Sequence, residues 1–302
     1  MLITLEQVLI LFLFIVTGFL LAKGKIVDPN QVKILSALEV YLFLPCVSFN
    51  NFYKNFTPGY LVEKYPLILV SLVLLVILHL LSKLLAKLFA RTEYEKSIFG
   101  YTFTIPNYGY TGYALCQGIF GELALLDMMM FTLPMSVYTG SVGYNMLTKR
   151  TGGKFSWSKI FTPVVIGILL GCVVGITGLK LPTVITDVTG KAGACMAPVS
   201  MLLTGIAISE FDLKGLLAEK RAYIVSAIRL LGIPLVIWCS LKLVGLGGMV
   251  ATAVLVYAMP CGMNTIVYPK LIGEDCRIGA SMTLISTVLS LITIPLCLQF
   301  LT

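Results

Sequence analysis

The chain has 302 residues, 58% of them hydrophobic and only 12% charged, and its mean hydropathy is +0.96. Soluble domains carry roughly 25% charged residues, so an ordinary soluble enzyme or binding module is excluded and an all-α polytopic membrane protein is indicated. The net charge of +8 does not point to nucleic acid, because Lys and Arg form short clusters between apolar segments with no aromatic-basic groove pattern; such clusters mark cytoplasmic loops.

At about 20 apolar residues per span, the chain order predicts ten transmembrane helices, near 4–22, 32–52, 62–84, 97–119, 124–147, 160–178, 192–209, 222–243, 248–270 and 278–300. Glu6 precedes the first and Lys23 and Lys25 follow it. That is the reverse of a cleavable signal, so this segment is expected to stay as a span. Sixteen of the 22 Lys and Arg fall in odd-numbered loops and five in even-numbered ones, with Arg229 inside the eighth span. The bias predicts a plasma-membrane protein with both termini outside.

The fourth span contains "TFTIPNYGYTGYAL" (102–115), where Pro106, Asn107, Gly109 and Gly112 all weaken a helix. The ninth reads "VYAMPCGMNTIVYPKLIGED", with Pro260, Gly262 and Asn264 in the same composition. Pro106 and Pro260 are 154 residues apart, Pro45 and Pro198 are 153 apart, and "FGE" (120–122) answers "IGE" (272–274). These matches predict two inverted five-helix repeats, 1–150 and 151–302, because units with an odd number of spans insert in opposite orientations.

Broken backbone at mid-membrane is tolerated where it is buried in protein or lines a wet cavity. A helix broken there exposes N–H groups and a positive dipole end that hold an anion without a fixed positive charge. Asn107 and Asn264 add amide donors and acceptors, and Gly109, Gly112 and Gly262 allow close approach. Crossing of the two breaks would make a polar, uncharged substrate site.

"NYGYTGYAL" (107–115) resembles the Asn-x-Gly-x-x-Gly-x-Pro-Leu signature in the fourth span of the auxin efflux carrier family, with Ala114 standing at the signature's proline. The region from Pro260 through "LIGEDCRIGASMTLISTVLSLITIP" resembles that family's last two spans, with Pro269 and Lys270 at a position usually small. The resemblance spans essentially the whole chain. It implies a bile acid symporter and NhaA-like transporter fold, in which helices 1, 2, 6 and 7 form a scaffold and helices 3–5 and 8–10 a transport domain. Helices 4 and 9 would be broken and cross, with Pro106 and Asn107 on one crossover and Pro260 on the other. It implies a secondary transporter of carboxylates such as malate, malonate or auxin-like acids, working by elevator-type alternating access. As in bacterial members, residues 148–159 form only a short basic connector. A cation-coupled symporter of bile acid transporter type and a non-transporting receptor or sensor are the alternatives; no HExxH, paired intramembrane aspartates or Ser/His pair suggests an enzyme.

Other polar residues lie within spans. Glu39, about two turns inside the second, is a candidate for coupling to a proton or sodium ion, or a carboxylate stabilised near the interface by Lys33. Ser48, Asn50, Tyr138, Tyr144, Asn145, Ser200 and Thr204 can face the cavity or make packing hydrogen bonds. His79 is expected at the interface, and Arg229 is expected to snorkel to it. Gly167, Gly171 and Gly175 form a ridge for close helix packing, inside the scaffold or in a homodimer. The eight cysteines are scattered singly, without metal-ligand spacing, and read as packing residues. No cofactor or metal is expected.

Overall fold

A computed structural model describes residues 2–28, 32–148 and 161–301; the connector expected over 148–159 lies, beyond Thr148, outside them. Seven helical runs among the described residues are long and apolar enough to cross a membrane: Thr4–Lys23, Lys33–Asn55, Pro58–Phe89, Tyr108–Leu147, Thr183–Ser209, Lys220–Leu243 and Arg277–Phe300. The helices in chain order begin with α1 (Leu2–Lys23), α2 (Val32–Leu38), α3 (Leu44–Asn55), α4 (Pro58–Phe89), α5 (Glu93–Thr104), α6 (Tyr113–Tyr138), α7 (Tyr144–Leu147) and α8 (Pro163–Thr177). They continue with α9 (Thr183–Ala194), α10 (Met196–Ser209), α11 (Leu213–Leu217), α12 (Lys220–Ala227), α13 (Ile233–Leu243), α14 (Val250–Tyr257), α15 (Asn264–Leu271) and α16 (Arg277–Leu301).

The count of seven differs from ten for local reasons. The expected fourth and ninth spans are each cut by extended backbone, α5 ending before Pro106 and α14 stopping short of Pro260, so neither is one long helix. The expected sixth is the 15-residue α8. The run Tyr108–Leu147 joins the second half of the expected fourth span to the fifth, but its backbone turns at Gly121 (φ 82°, ψ −171°). Gly273, after α15, also has positive φ (71°). Both are the central glycines of the "FGE" and "IGE" tripeptides, where a Cβ would be strained.

Helix starts follow capping chemistry. Thr57 and Thr162 accept N–H bonds from Tyr60 and Val165, each directly ahead of a proline that needs no donor partner. Prolines also set two widened, π-type turns. Pro45 has no N–H to give Tyr41, and the turn before it, Glu39–Phe43, is widened; Pro234 does the same to Leu230 in the turn Ile228–Gly232, and the Leu230 carbonyl accepts from Cys297 Sγ instead (3.4 Å). Two further wide turns cover Tyr108–Gly112 and Thr139–Gly143.

Small residues decide which helices touch. α1 packs along α10, where a Cβ on Gly18 would lie 2.2 Å from the Leu202 carbonyl oxygen and one on Gly205 2.0 Å from that of Ile15. α3 packs along α8 through the Gly167, Gly171 and Gly175 ridge, whose added Cβ atoms would come within 2.6–2.9 Å of Pro45, Phe49 and Phe52. The ridge is therefore occupied inside the chain. All eight cysteines are free.

Among the described residues, several ion pairs tie helix ends together. Lys54, at the end of α3, meets Glu122 (3.1 Å), whose main-chain carbonyl accepts from Asn51 Nδ2 (2.9 Å). Lys270 of α15 meets Glu210, just beyond α10 (2.5 Å). Arg221, on α12, joins Glu95 of α5 (2.7 Å) and Glu219 (2.8 Å).

Candidate functional site

The two breaks meet. Pro106 and Cys261 form an isolated antiparallel bridge, the Asn107 N–H donates to the Pro260 carbonyl (3.0 Å), and the Cys261 N–H donates to Ser286 Oγ (2.9 Å). Each strand thus satisfies part of what its proline removed from the helix. Beyond the crossing, helices restart at Tyr108 and at Asn264. The Asn107 carbonyl accepts from the N–H groups of Thr111 (3.3 Å) and Gly112 (3.0 Å), so the amides of residues 108–110 precede the first intrahelical bond. The Asn107 side chain donates to Thr111 Oγ1 (3.0 Å) and that of Asn264 to the Tyr101 hydroxyl (2.7 Å).

A cavity of about 130 Å³ sits against this crossing. Pro106, Asn107, Gly109, Gly262 and Asn264 line it, five of the residues singled out in sequence. It is also lined by Tyr108, Tyr110, Tyr113, Ser136, Thr139 and Tyr268, and among the described residues no Lys, Arg, His, Asp or Glu lines it. Tyr108 and Ser136 share a hydroxyl hydrogen bond (3.1 Å), and Tyr113 pairs with Thr132 (2.7 Å). The tyrosines were missed because the alternating "YGYTGY" looked like backbone flexibility, whereas it delivers three phenol rings to one wall.

The other expected residues lie elsewhere. Gly112 is packing, since a Cβ there would stand 2.6 Å from Met128 Cε, and Pro260 contributes its carbonyl to the crossing. Ser48 bonds its own helix at Leu44, Asn50 accepts from Thr189 of α9 (2.7 Å), and Thr204 bonds the Ser200 carbonyl. The Tyr138 hydroxyl pairs with His79 Nδ1 (2.7 Å) rather than facing the cavity. Tyr144 meets Tyr268 edge-on, ring centroids 5.1 Å apart.

Two charged residues depart from the interface. Glu39 is 0% exposed and takes a hydrogen bond from Ser200 of α10 (2.5 Å) rather than from Lys33, while Oε2 has no hydrogen-bond partner. Arg229 does not snorkel: it is 0% exposed, its guanidinium lies 5.7 Å from the Tyr257 ring centroid, and none of its side-chain nitrogens has a hydrogen-bond partner. The wide turn that carries it directs it inward against α14, which a hydropathy profile does not register.

A larger cavity of about 630 Å³ shares the lining residues Val40 and Tyr268 with it, and Lys33, Glu210 and Lys270 stand in its wall. Among the described residues, a small pocket without charged residues thus lies next to a larger one bearing two cations and one anion.

The chain matches the model of a family described as membrane transport protein, over residues 3–154 and 148–298. It is 26% identical over 312 residues to an uncharacterized transporter of Methanocaldococcus jannaschii, covering 97% of each chain. It is 26% identical over 300 residues to an uncharacterized transporter of Methanothermobacter thermautotrophicus, covering 96% of each. With its apolar helices, the protein is a multi-pass membrane protein, and it belongs to the auxin efflux carrier-like family of membrane transport proteins.

Proposed function

We propose that the protein is a secondary transporter of small organic anions, carboxylates of the malate or malonate class, carried across the plasma membrane by alternating access. The observation that carries this reading is the crossing of two broken segments beside a polar cavity that, among the described residues, has no Lys, Arg, His, Asp or Glu in its wall. Free amides at the helix start near Tyr108, together with the Asn107 and Asn264 side chains, suit a carboxylate. At about 130 Å³ the cavity is small, which suits a short acid. Lys33 and Lys270, in the wall of the larger cavity, would draw an anion inward from the cytoplasm.

For the moving parts we take α1, α2, α3, α8, α9 and α10 as scaffold and the remaining spans as transport domain, in two inverted halves with both termini outside. Supporting this are the crossed pairings α1 with α10 and α3 with α8, and the positive-φ glycines at matched positions. The Lys54–Glu122 and Lys270–Glu210 pairs then join scaffold to transport domain at opposite ends of the molecule. Exposed pairs contribute only about 0–1 kcal/mol, weak enough to be broken and remade in a transport cycle.

A thermal-shift series of mono-, di- and tricarboxylates on the purified protein tests the reading. Short mono- or dicarboxylates should raise the melting temperature in a saturable way. No response to any of them, with a response to cations or neutral solutes, would overturn it.

A further inference from the structure

Glu39 is the group the carrier reading leaves unused. It sits in the wide turn Glu39–Phe43, and the turn's neighbours Val40 and Leu44 line the crossover cavity. Its carboxyl is fully buried, one oxygen held by Ser200 across the interface with α10 and the other without a partner. A buried carboxylate with neither counter-charge nor a full set of donors is too costly to keep, so the group must hold a cation or a proton.

Among the described residues, the elements packed against Glu39 offer no buried counter-charge. α10 presents Ser200 and no ionisable residue, α8 has only Cys172, and α9 carries Asp187 and Lys191, both exposed. On its own helix and the continuation α3, Lys33, Tyr41 and Lys54 are exposed and Cys46 and Tyr53 are half-buried. From the crossover, the Tyr110 phenol lies close enough to Glu39 to feel its charge, and it lines the same cavity as Val40 and Leu44. Apart from the carboxyl, Ser200 is the only side-chain oxygen bonded here, whereas a sodium ion would need several more oxygen ligands. A carboxyl needs only one proton.

We infer that Glu39 is a proton-binding site that couples movement of the anion to movement of a proton, an inference that rests on the carrier reading above. Glu39 belongs to the scaffold side and Tyr110 to the crossover. While the crossover and this turn are packed together, the carboxyl is sealed and holds its proton. When the crossover slides away, water reaches the group and the proton leaves, giving carboxylate and hydronium. The sign follows: acid favours the sealed arrangement and alkali the exposed one. A proton gradient therefore biases the direction of travel.

The test has two arms, both on the reconstituted full-length protein, wild type and Glu39→Gln. Gln keeps the shape and the Ser200 hydrogen bond but cannot titrate. In the first arm, liposomes with the membrane potential clamped at zero are given labelled malonate and an inward proton gradient of one pH unit. One proton per anion supports up to about tenfold accumulation. Wild type should approach it, while Glu39→Gln should only equilibrate malonate and still exchange it. Accumulation by Glu39→Gln equal to wild type overturns the inference, as does accumulation driven by sodium and lost in Glu39→Gln. The second arm needs no substrate: infrared difference spectra at neutral pH should show a protonated-carboxyl band that is absent from Glu39→Gln. Absence of that band in wild type overturns the inference even if malonate moves. If malonate does not move at all, the carrier reading for that acid fails while the band, present and lost in Glu39→Gln, still supports the proton site.

Discussion

Replacing Asn107 by alanine probes the candidate site with the least collateral damage. Its main-chain bonds to Pro260, Thr111 and Gly112 do not involve the side chain, so the crossing stays; only the amide's bond to Thr111 is lost, at about 1 kcal/mol. A hydrogen bond to a charged ligand is worth about 1.5–3 kcal/mol, so a bound carboxylate should weaken about 10- to 100-fold. At a ligand concentration 100 times the wild-type Kd, binding stabilises wild type by about 2.7 kcal/mol, and a variant 100-fold weaker keeps only about 0.4 kcal/mol. Calorimetric titration with malonate and thermal shifts at matched concentration read this directly. Asn107→Asp should do more, because a second carboxylate about 4 Å away costs about 4 kcal/mol at an effective dielectric near 20 and the cavity wall has no cation to offset it. If Asn107→Ala bound and transported every anion that wild type handles with unchanged affinity, the crossover would not be the binding site.

Gly171→Leu should drive a side chain into Phe49 and Phe52, already 2.7 Å from a Cβ, lowering thermal stability by at least the roughly 1–3 kcal/mol of core overpacking; near-native melting would mean that α3 and α8 do not pack as described. Arg229→Met should leave melting unchanged or raise it, because removing a buried cation that has no hydrogen-bonded acceptor relieves a desolvation cost, whereas a loss above about 3 kcal/mol would reveal a partner for the guanidinium. The Arg221 guanidinium holds the Glu219 carboxyl below its usual range, so its contribution is present above the unfolded carboxylate pKa and fades as pH falls through the lowered value. Melting temperature of wild type should fall more steeply with acid than that of Arg221→Met, and parallel pH curves would show that the ion pair contributes nothing.

Asn107 and Asn264 were readable because proline and glycine within an apolar run announce broken backbone wherever it occurs. The tyrosines were not, since a membrane helix is apolar on every side and its periodicity does not say which face meets protein. Ser200 lies 161 residues from Glu39, and no local rule pairs them. Snorkelling was the sensible expectation for Arg229 from its place in the span, yet a turn widened ahead of Pro234 aimed it inward.

By itself the sequence determined that this chain belongs in a membrane, where its backbone must break, and that both breaks are polar without charge. These are properties of composition and of residues that cannot donate or cannot hold a helix, and they act over a few positions. Only the tertiary structure decided that the breaks cross, that the Asn107 N–H bonds to the Pro260 carbonyl, and that the Gly167 ridge is filled by α3. Those outcomes depend on close packing between segments more than a hundred residues apart, where tenths of an ångström at a glycine choose the neighbour.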